Sequence, residues 1–425
     1  MEIDDIKEVI LDQRQQLDDL RKRENIIERA GINAAKFLAY PNILVILGVR
    51  RCGKSTLSFQ LFSGQKFGYI NFDDDRLNSI KAADLNKILQ AFYELYGTDI
   101  ENIILDEVQE VDAWQKFASR LRLDKKVIVT GSNSEILSGE LATSLTGRHI
   151  DITLFPFSFE ELLIYKGINY KGTLTTKEKA LLSNAMEDYL YNGGFPERLK
   201  FGKELLRQIY NDIITKDIVK RHRIKNESNL RGVSTFLMSN ISKEFSYSSI
   251  IKATSVKNVL TVSKWISYLE DAYLFFKLNR FSFKLKETVF APKKIYAIDT
   301  GLSNSLSLNL SERFGQLIEN AVAIELFRRR AEEHNKYDLF YWKDHQQREV
   351  DFIVKESSKV SQLIQVTYAS PNDEIANRET RNLLTASKEL HCNNLLIVTW
   401  GYEGTIQKEN KIIKCIPLWK WLLNL

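Results

Sequence analysis

Over the first third of the chain, short uninterrupted apolar runs alternate with segments of helical period. The runs are ILVIL at 43–47, FGYINF at 67–72, NIIL at 102–105 and KVIVT at 126–130. Between them, apolar residues fall at Leu57, Leu61 and Phe62, then at Leu85, Ile88, Leu89, Phe92 and Leu95. A third helical stretch covers 114–121. Strands that are apolar at every position are buried on both faces. Alternation of such strands with helices predicts an α/β domain on a parallel sheet. Ile3, Ile6, Val9, Ile10, Leu17 and Leu20 stand among charges and predict a helical N-terminal segment packed on that core.

The pattern changes after residue 154. ELLIYKG, MEDYLYNGG and LLRQIYNDIITKDIV predict a helical subdomain over 155–228. Residues 229–304 read as a winged helix-turn-helix. Helices are expected over 230–241 and 248–253, and a third carries Val262, Trp265, Ile266 and Leu269 at i, i+3, i+4, i+7. The alternating stretches LFFKLNRFSFKLK and KKIYAID would form its wing. Residues 305–425 combine one long helix with strands YDLFYWKD, REVDFIV and SQLIQVTY. Four parts are therefore expected: 1–154, 155–228, 229–304 and 305–425. A chain of 425 residues is too long for a single core, in keeping with that division.

Composition narrows the class. Hydrophobic residues make up 44% and charged residues 27%, as in globular proteins. No apolar run approaches the ~20 residues of a membrane span. The acidic, amphipathic start MEIDDIKEVILDQ is unlike a signal peptide. Cys52, Cys392 and Cys415 show no metal-ligand spacing, so a reduced, cytoplasmic setting is expected. Charge is uneven: residues 200–299 hold 19 Lys and Arg against 9 Asp and Glu, while the whole chain nets only +5. Such a concentration points to an anionic partner for the middle of the chain.

The candidate chemistry begins at Gly48-Val49-Arg50-Arg51-Cys52-Gly53-Lys54-Ser55, between the first strand and the first helix. Strand, glycine loop and helix form the context of a phosphate-binding loop. Its glycines, Gly48 and Gly53, let successive amides turn toward one anion, and the amides of Arg51, Cys52, Gly53, Lys54, Ser55 and Thr56 would cradle a triphosphate. Lys54 would reach the β- and γ-phosphates, and the Ser55 hydroxyl would hold Mg²⁺. The strand at 102–105 ends in Asp106-Glu107, at the sheet edge where ligands bind in such folds. There Asp106 would hold the Mg²⁺ water shell and Glu107 would polarise the attacking water.

The strand at 126–130 ends in Gly131-Ser132-Asn133. If it neighbours the Asp106 strand, Asn133 would reach the γ-phosphate or the water; the competing reading is an ordinary turn. Arg148 precedes HIDITLF and is a candidate cation for the transferring phosphoryl group, from the same or a neighbouring subunit; a surface arginine is the competing reading. The run Asp73-Asp74-Asp75 reads as a solvated loop or helix cap.

The motifs GVRRCGKST, YINFDDDRL, IILDEVQE, TGSNSEILS and LTGR with LFPFSFEEL resemble AAA-type ATPases common in archaea and many bacteria. These carry a C-terminal domain of uncertain function related to restriction endonucleases. YNGGFPE at 191–197, KDI at 216–218 and YAIDTGL at 296–302 extend the resemblance over nearly the whole chain. It implies the same roles for Lys54, Ser55, Asp106 and Glu107, matches Arg148 to an arginine after the sensor strand, and makes 155–228 a lid over the nucleotide that moves on hydrolysis. In the C-terminal part, Glu319 and Asp351 match nuclease acids. Gln365, Val366 and Thr367 stand where an acid, a spacer and a lysine are expected, so that domain is expected to be inactive. Lys343 and Lys355 are candidate replacements for the lysine.

These readings together predict an ATP- and Mg²⁺-dependent ATPase that couples nucleotide state to movement. Duplex DNA is the expected partner of 229–300, through Lys257, Asn258, Thr261, Lys264 and Ser267 and the wing lysines Lys284, Lys286, Lys293 and Lys294. A homo-oligomer is expected if Arg148 acts on a neighbour. The rival readings are a nucleotide-gated protein-interaction scaffold without nucleic acid, and a metal-dependent nuclease.

Overall fold

Five strands of the N-terminal unit run parallel in one sheet of order β2-β3-β4-β1-β5. They are β1 (Ile43–Leu47), β2 (Phe67–Asn71), β3 (Asn102–Asp106), β4 (Lys126–Gly131) and β5 (His149–Thr153). Every residue of β1 and β3 is buried, as their uninterrupted apolar sequences require. The computed structural model describes residues 1–23, 25–32, 38–137, 147–307, 313–369 and 377–425. Leu145 and Thr146, which belong to one of the motifs above, lie outside those residues. Two compact units divide the chain, Met1–Phe155 and Pro156–Leu425.

Helix Ile3–Arg23 closes the β2 edge of the first unit. Ile6, Val9 and Ile10 are buried, and the helix packs on Leu85–Tyr96 and on β2. Gln13 completes the edge: its Nε2 donates to the Asn71 carbonyl at 3.0 Å and its Oε1 accepts from Asn71 N–H at 2.8 Å. An open strand edge would otherwise offer these groups to another chain.

The second unit opens with helices Phe159–Lys166, Thr176–Asn192 and Glu204–Asp212, and a π-helical stretch, Ile213–Lys220. Ser158 and Thr175 start the first two through capping boxes with Glu161 and Glu178. Three helices follow, Glu227–Ser239, Tyr247–Ala253 and Val259–Asp271. The last buries Val262, Trp265, Ile266 and Leu269, the face its periodicity marks.

A nine-stranded sheet completes this unit, with order β13-β14-β12-β11-β10-β9-β7-β8-β6. Its strands are β6 (Glu244–Phe245), β7 (Phe275–Arg280), β8 (Lys293–Ala297), β9 (Tyr337–Lys343), β10 (Glu349–Glu356), β11 (Lys359–Thr367), β12 (Leu395–Thr399), β13 (Gly404–Lys408) and β14 (Lys411–Pro417). The strand pair expected as a free-standing wing is β7–β8, and it is continuous with the C-terminal sheet. β7 pairs in parallel with β9 through Asn279–Phe340 and Arg280–Tyr341, and Phe281 N–H donates to the Tyr341 carbonyl at 2.7 Å. Hydrogen bonds therefore cross the expected boundary at 304/305.

Two distant motifs meet in this unit. Asp299, from YAIDTGL, accepts Gly194 N–H at 2.6 Å and Leu302 N–H at 2.8 Å. Gly194, from YNGGFPE, lies so close to the chain that a Cβ would stand 2.2 Å from the Phe157 carbonyl. The Gly193–Pro196 turn is thus a packing junction.

Candidate functional site: a phosphate loop above paired carboxylates

Leu47 ends β1 and the loop 48–53 turns into helix Lys54–Leu61. Gly48 has φ +149 and Gly53 φ +100, and a Cβ on Gly48 would lie 2.1 Å from the Leu154 carbonyl. The first turn therefore admits only glycine at position 48. Arg51, at φ 66, is also left-handed. Cys52 is fully buried, burial pushes its thiol pKa up, and its N–H donates to the Val49 carbonyl at 3.3 Å within the loop. Arg29, from the N-terminal segment, donates to the Cys52 carbonyl at 3.0 Å and to the Phe155 carbonyl at 2.7 Å, which ties the loop to the end of β5.

The register β3–β4 aligns Leu105 with Val129, and β2–β3 aligns Asn71 with Asp106. Three strand ends therefore meet at Asp106, whose side chain is wholly buried. Tyr69 Oη donates to Asp106 Oδ2 at 2.7 Å, and the Thr130 hydroxyl hydrogen-bonds Oδ1. The Ser55 hydroxyl also hydrogen-bonds this carboxylate. Burial pushes the Asp106 pKa up, reinforced by the adjacent Glu107 charge, against the pull of those three hydroxyls.

Glu107 stands at φ 51, ψ 48, a left-handed conformation rare for a residue with a side chain. Its N–H donates to Thr130 Oγ1 at 3.1 Å. Burial opposes its ionisation, but the Lys54 charge and a 2.5 Å hydrogen bond from Gln109 outweigh burial and hold its pKa below the usual carboxylate range. Lys54 Nζ lies 3.5 Å from Glu107 and donates to the Gly48 carbonyl at 3.2 Å. The ammonium thus folds back into its own loop, paired with the carboxylate.

Asn133 is wholly buried two residues beyond β4. Its Oδ1 accepts Glu135 N–H at 2.7 Å, and its Nδ2 has no acceptor among the described residues. Gln109 Oε1 likewise has no donor there.

Arg148 stands elsewhere. It is exposed, and its carbonyl accepts Ile43 N–H at 2.9 Å. The register pairs Ile43 with His149 and Leu47 with Thr153, so Arg148 flanks the amino end of β1. The phosphate loop leaves the carboxyl end, about 15 Å away along the strand at ~3.3 Å per residue. Within one chain, Arg148 does not join the site. The Asp73–Asp75 run also has a structural role: Asp74 accepts Arg76 N–H at 3.1 Å and caps the turn that follows.

Tyr69, Thr130, Gln109 and Arg29 were not singled out from the sequence. Thr130 was legible in principle, as a hydroxyl at a strand end beside the carboxylate strand. Tyr69 and Arg29 carry no local signal.

A family model described as "AAA domain" matches residues 40–163, and two domains of unknown function match further along, DUF8612 over 183–313 and DUF4143 over 314–421. An uncharacterized protein of Methanocaldococcus jannaschii is 35% identical over 98% of this chain and 95% of its own. The chain belongs to this AAA-domain family. A second uncharacterized member, from Haemophilus influenzae, is 31% identical to this AAA-domain protein over 90% of the chain and 94% of its own length. Among solved structures, a Walker-type ATPase of Pyrococcus abyssi is 17% identical with TM-score 0.41, over 67% of this chain and 97% of its own. The Aeropyrum pernix ORC1 protein, solved in complex with DNA, is 13% identical with TM-score 0.32, over 64% and 89%. Scores this low extend no ligand or partner of those two proteins to the AAA-domain protein.

A second constellation lies in the C-terminal unit of the AAA-domain protein. Lys294 was expected to face DNA phosphates, but only 1% of its surface is exposed. Its Nζ lies 2.9 Å from Glu319, 2.6 Å from Glu349 and 3.1 Å from Asp351. The lysine among Glu319, Glu349 and Asp351 is therefore Lys294, on β8. Lys343 pairs with Glu244 at 2.7 Å, and Lys355 turns to the Ser357 carbonyl. No described helix is long and apolar enough to cross a membrane.

Proposed function

We propose that this protein is a Mg²⁺-dependent ATPase, converting ATP to ADP and phosphate. One observation carries the reading: Lys54, Ser55, Asp106 and Glu107, from two separate motifs, converge at the carboxyl edge of a parallel sheet below a glycine loop. Ser55 and Asp106 supply hard oxygen donors already in mutual contact, the set that Mg²⁺ takes beside nucleotide phosphates. The bound ion would neutralise phosphate charge; the remaining roles belong to the chain itself. Loop amides 51–56 hold the phosphates. Lys54 leaves Glu107 for the β- and γ-oxygens, which frees that carboxylate to accept a proton from water. Asn133 Nδ2, lacking an acceptor, donates to the γ-phosphate or that water.

Calorimetry and a phosphate-release assay test this reading. Lys54→Ala is expected to lose ATP binding, whereas Glu107→Gln retains binding and loses hydrolysis by about 100-fold or more. Hydrolysis unchanged in both variants rejects the proposal.

Arg148, remote from its own loop, serves a neighbouring subunit in this reading, and nucleotide-dependent assembly is its signature. Duplex DNA is the proposed partner of 229–300, with the helical segment 155–228 moving on hydrolysis. Lys257, Lys264, Lys284 and Lys286 are exposed, and the order helix, strand, two helices and an antiparallel strand pair, joined here by the short helix Leu285–Phe290, suits a winged helix. A duplex titration at several salt concentrations is expected to show affinity falling steeply with salt. Absence of binding at low salt favours the scaffold reading instead. DNA cleavage is not expected, because the neutral Gln365 stands where an acidic metal ligand would be needed.

A further inference from the structure

A cavity of about 490 Å³ opens in the C-terminal unit, apart from the phosphate loop. Six polar side chains define it: Glu319, Glu349, Asp351, Gln365, Glu379 and Asn382. They come from helix Phe314–Glu332, from β10 and β11, and from helix Asn377–Glu389. Only part of this acceptor capacity is used. Asp351 is satisfied: Oδ1 faces Lys294 at 3.1 Å, and Oδ2 accepts Gln365 Nε2 at 2.6 Å and Val366 N–H at 2.9 Å.

Three other oxygens have no donor among the described residues: Gln365 Oε1, Glu379 Oε2 and Asn382 Oδ1. Their residues are only 8%, 8% and 6% exposed, so bulk water does not compensate them. A buried acceptor left unpaired keeps its desolvation penalty uncompensated. Arg378 reaches only the other oxygen of Glu379, at 3.4 Å, and its own side chain is 74% exposed. Three unmatched acceptors around one cavity call for a ligand with several N–H donors.

The carboxylates also set its charge. Four line the cavity, against Arg378 in its wall and Lys294 and Lys343 paired with Glu349, which leaves an excess of one negative charge with all four ionised. A metal ion does not fit this donor set. No three Asp, Glu, His or Cys among the described residues are spaced to hold one, and the Lys294 ammonium takes the point of convergence. Tyr368 lines the same cavity with 58% of its surface exposed, held edge-to-face against Phe314 at 4.9 Å. An exposed, braced aromatic ring beside acceptors suits an organic cation.

We propose that this cavity binds an organic cation bearing a guanidinium or primary ammonium group. Its N–H donors pair with Gln365, Glu379 and Asn382, and Tyr368 covers its face. The group comes either from a free small molecule or from a basic side chain of a partner protein.

Calorimetry on the full-length protein tests this with three probes: agmatine, spermidine, and a capped Gly-Arg-Gly peptide. At least one is expected to bind; a free amine as the best ligand identifies a small-molecule site, and the peptide alone identifies a partner's side chain. Glu379→Gln is expected to weaken that binding about tenfold, the worth of one charged hydrogen bond. Tyr368→Ala, at an exposed position that leaves the fold intact, is expected to weaken it about threefold. Absence of heat with all three probes up to ~10 mM, a range covering the ~4 kcal/mol of millimolar binding, overturns the proposal. So does binding that neither substitution alters, or saturable binding of Mn²⁺ that Glu379→Gln abolishes.

Discussion

Asp106 and Glu107 are neighbours in sequence yet hold opposite electrostatic positions. Asp106 lies wholly buried among three hydroxyls, and Glu107 turns through a left-handed backbone to face Lys54. Thr130 makes that split by bonding the Asp106 carboxylate with its hydroxyl and accepting the Glu107 amide. Thr130→Val keeps the shape and removes both bonds. The variant is expected to lose about 1–3 kcal/mol of stability, read by urea denaturation, and to lower kcat more than ATP affinity. Asp188 offers a pH test in the second unit. Burial would raise its pKa, but bidentate Arg198 at 3.1 Å, Lys166 at 2.7 Å and Asn192 outweigh burial and lower it to about 2. A depressed folded-state pKa contributes stability that is complete above the unfolded value and lost as acid protonates the folded form. Native protein is therefore expected to lose up to about 2 kcal/mol between about pH 4 and about pH 2, and Asp188→Asn to lack that slope. Equal slopes in an acid-unfolding comparison would contradict this account.

At the scale of elements, the apolar strands and amphipathic helices of the first unit lie where their periodicity predicts. The third helix of 229–304 buries its predicted face. Periodicity does not specify pairing partners. β7 and β8 alternate as a solvent-facing hairpin would, yet β7 bonds β9 across the expected domain boundary. Lys294 looked like one more wing lysine, and only the packing of β8 on helix Phe314–Glu332 directs it inward. Lys294→Met is expected to cost about 3–5 kcal/mol, because it leaves three partly buried carboxylates without their common cation. An unchanged midpoint in urea would refute that role.

At the scale of the whole molecule, the nine-stranded sheet makes residues 244–417 one folding unit. A fragment beginning at 305 would expose the β9 edge and remove Lys294 from the acids. It is expected to be insoluble or to lack a cooperative unfolding transition by circular dichroism, whereas a fragment beginning at 156 keeps both. A cooperatively folded 305–425 fragment would disprove this.

The sequence alone determined the phosphate loop, the carboxylate pair and the parallel α/β domain, because each rests on contiguous residues: a turn that needs glycine, a strand that must be apolar, an acid at its end. Position 148 was legible as an arginine, but its distance from the loop was not. Strand register decided that, along with Tyr69 on Asp106, Arg29 on the loop carbonyl and Lys294 among the acids. Those contacts join residues far apart in the chain, and burial against a particular neighbour leaves no local pattern to read.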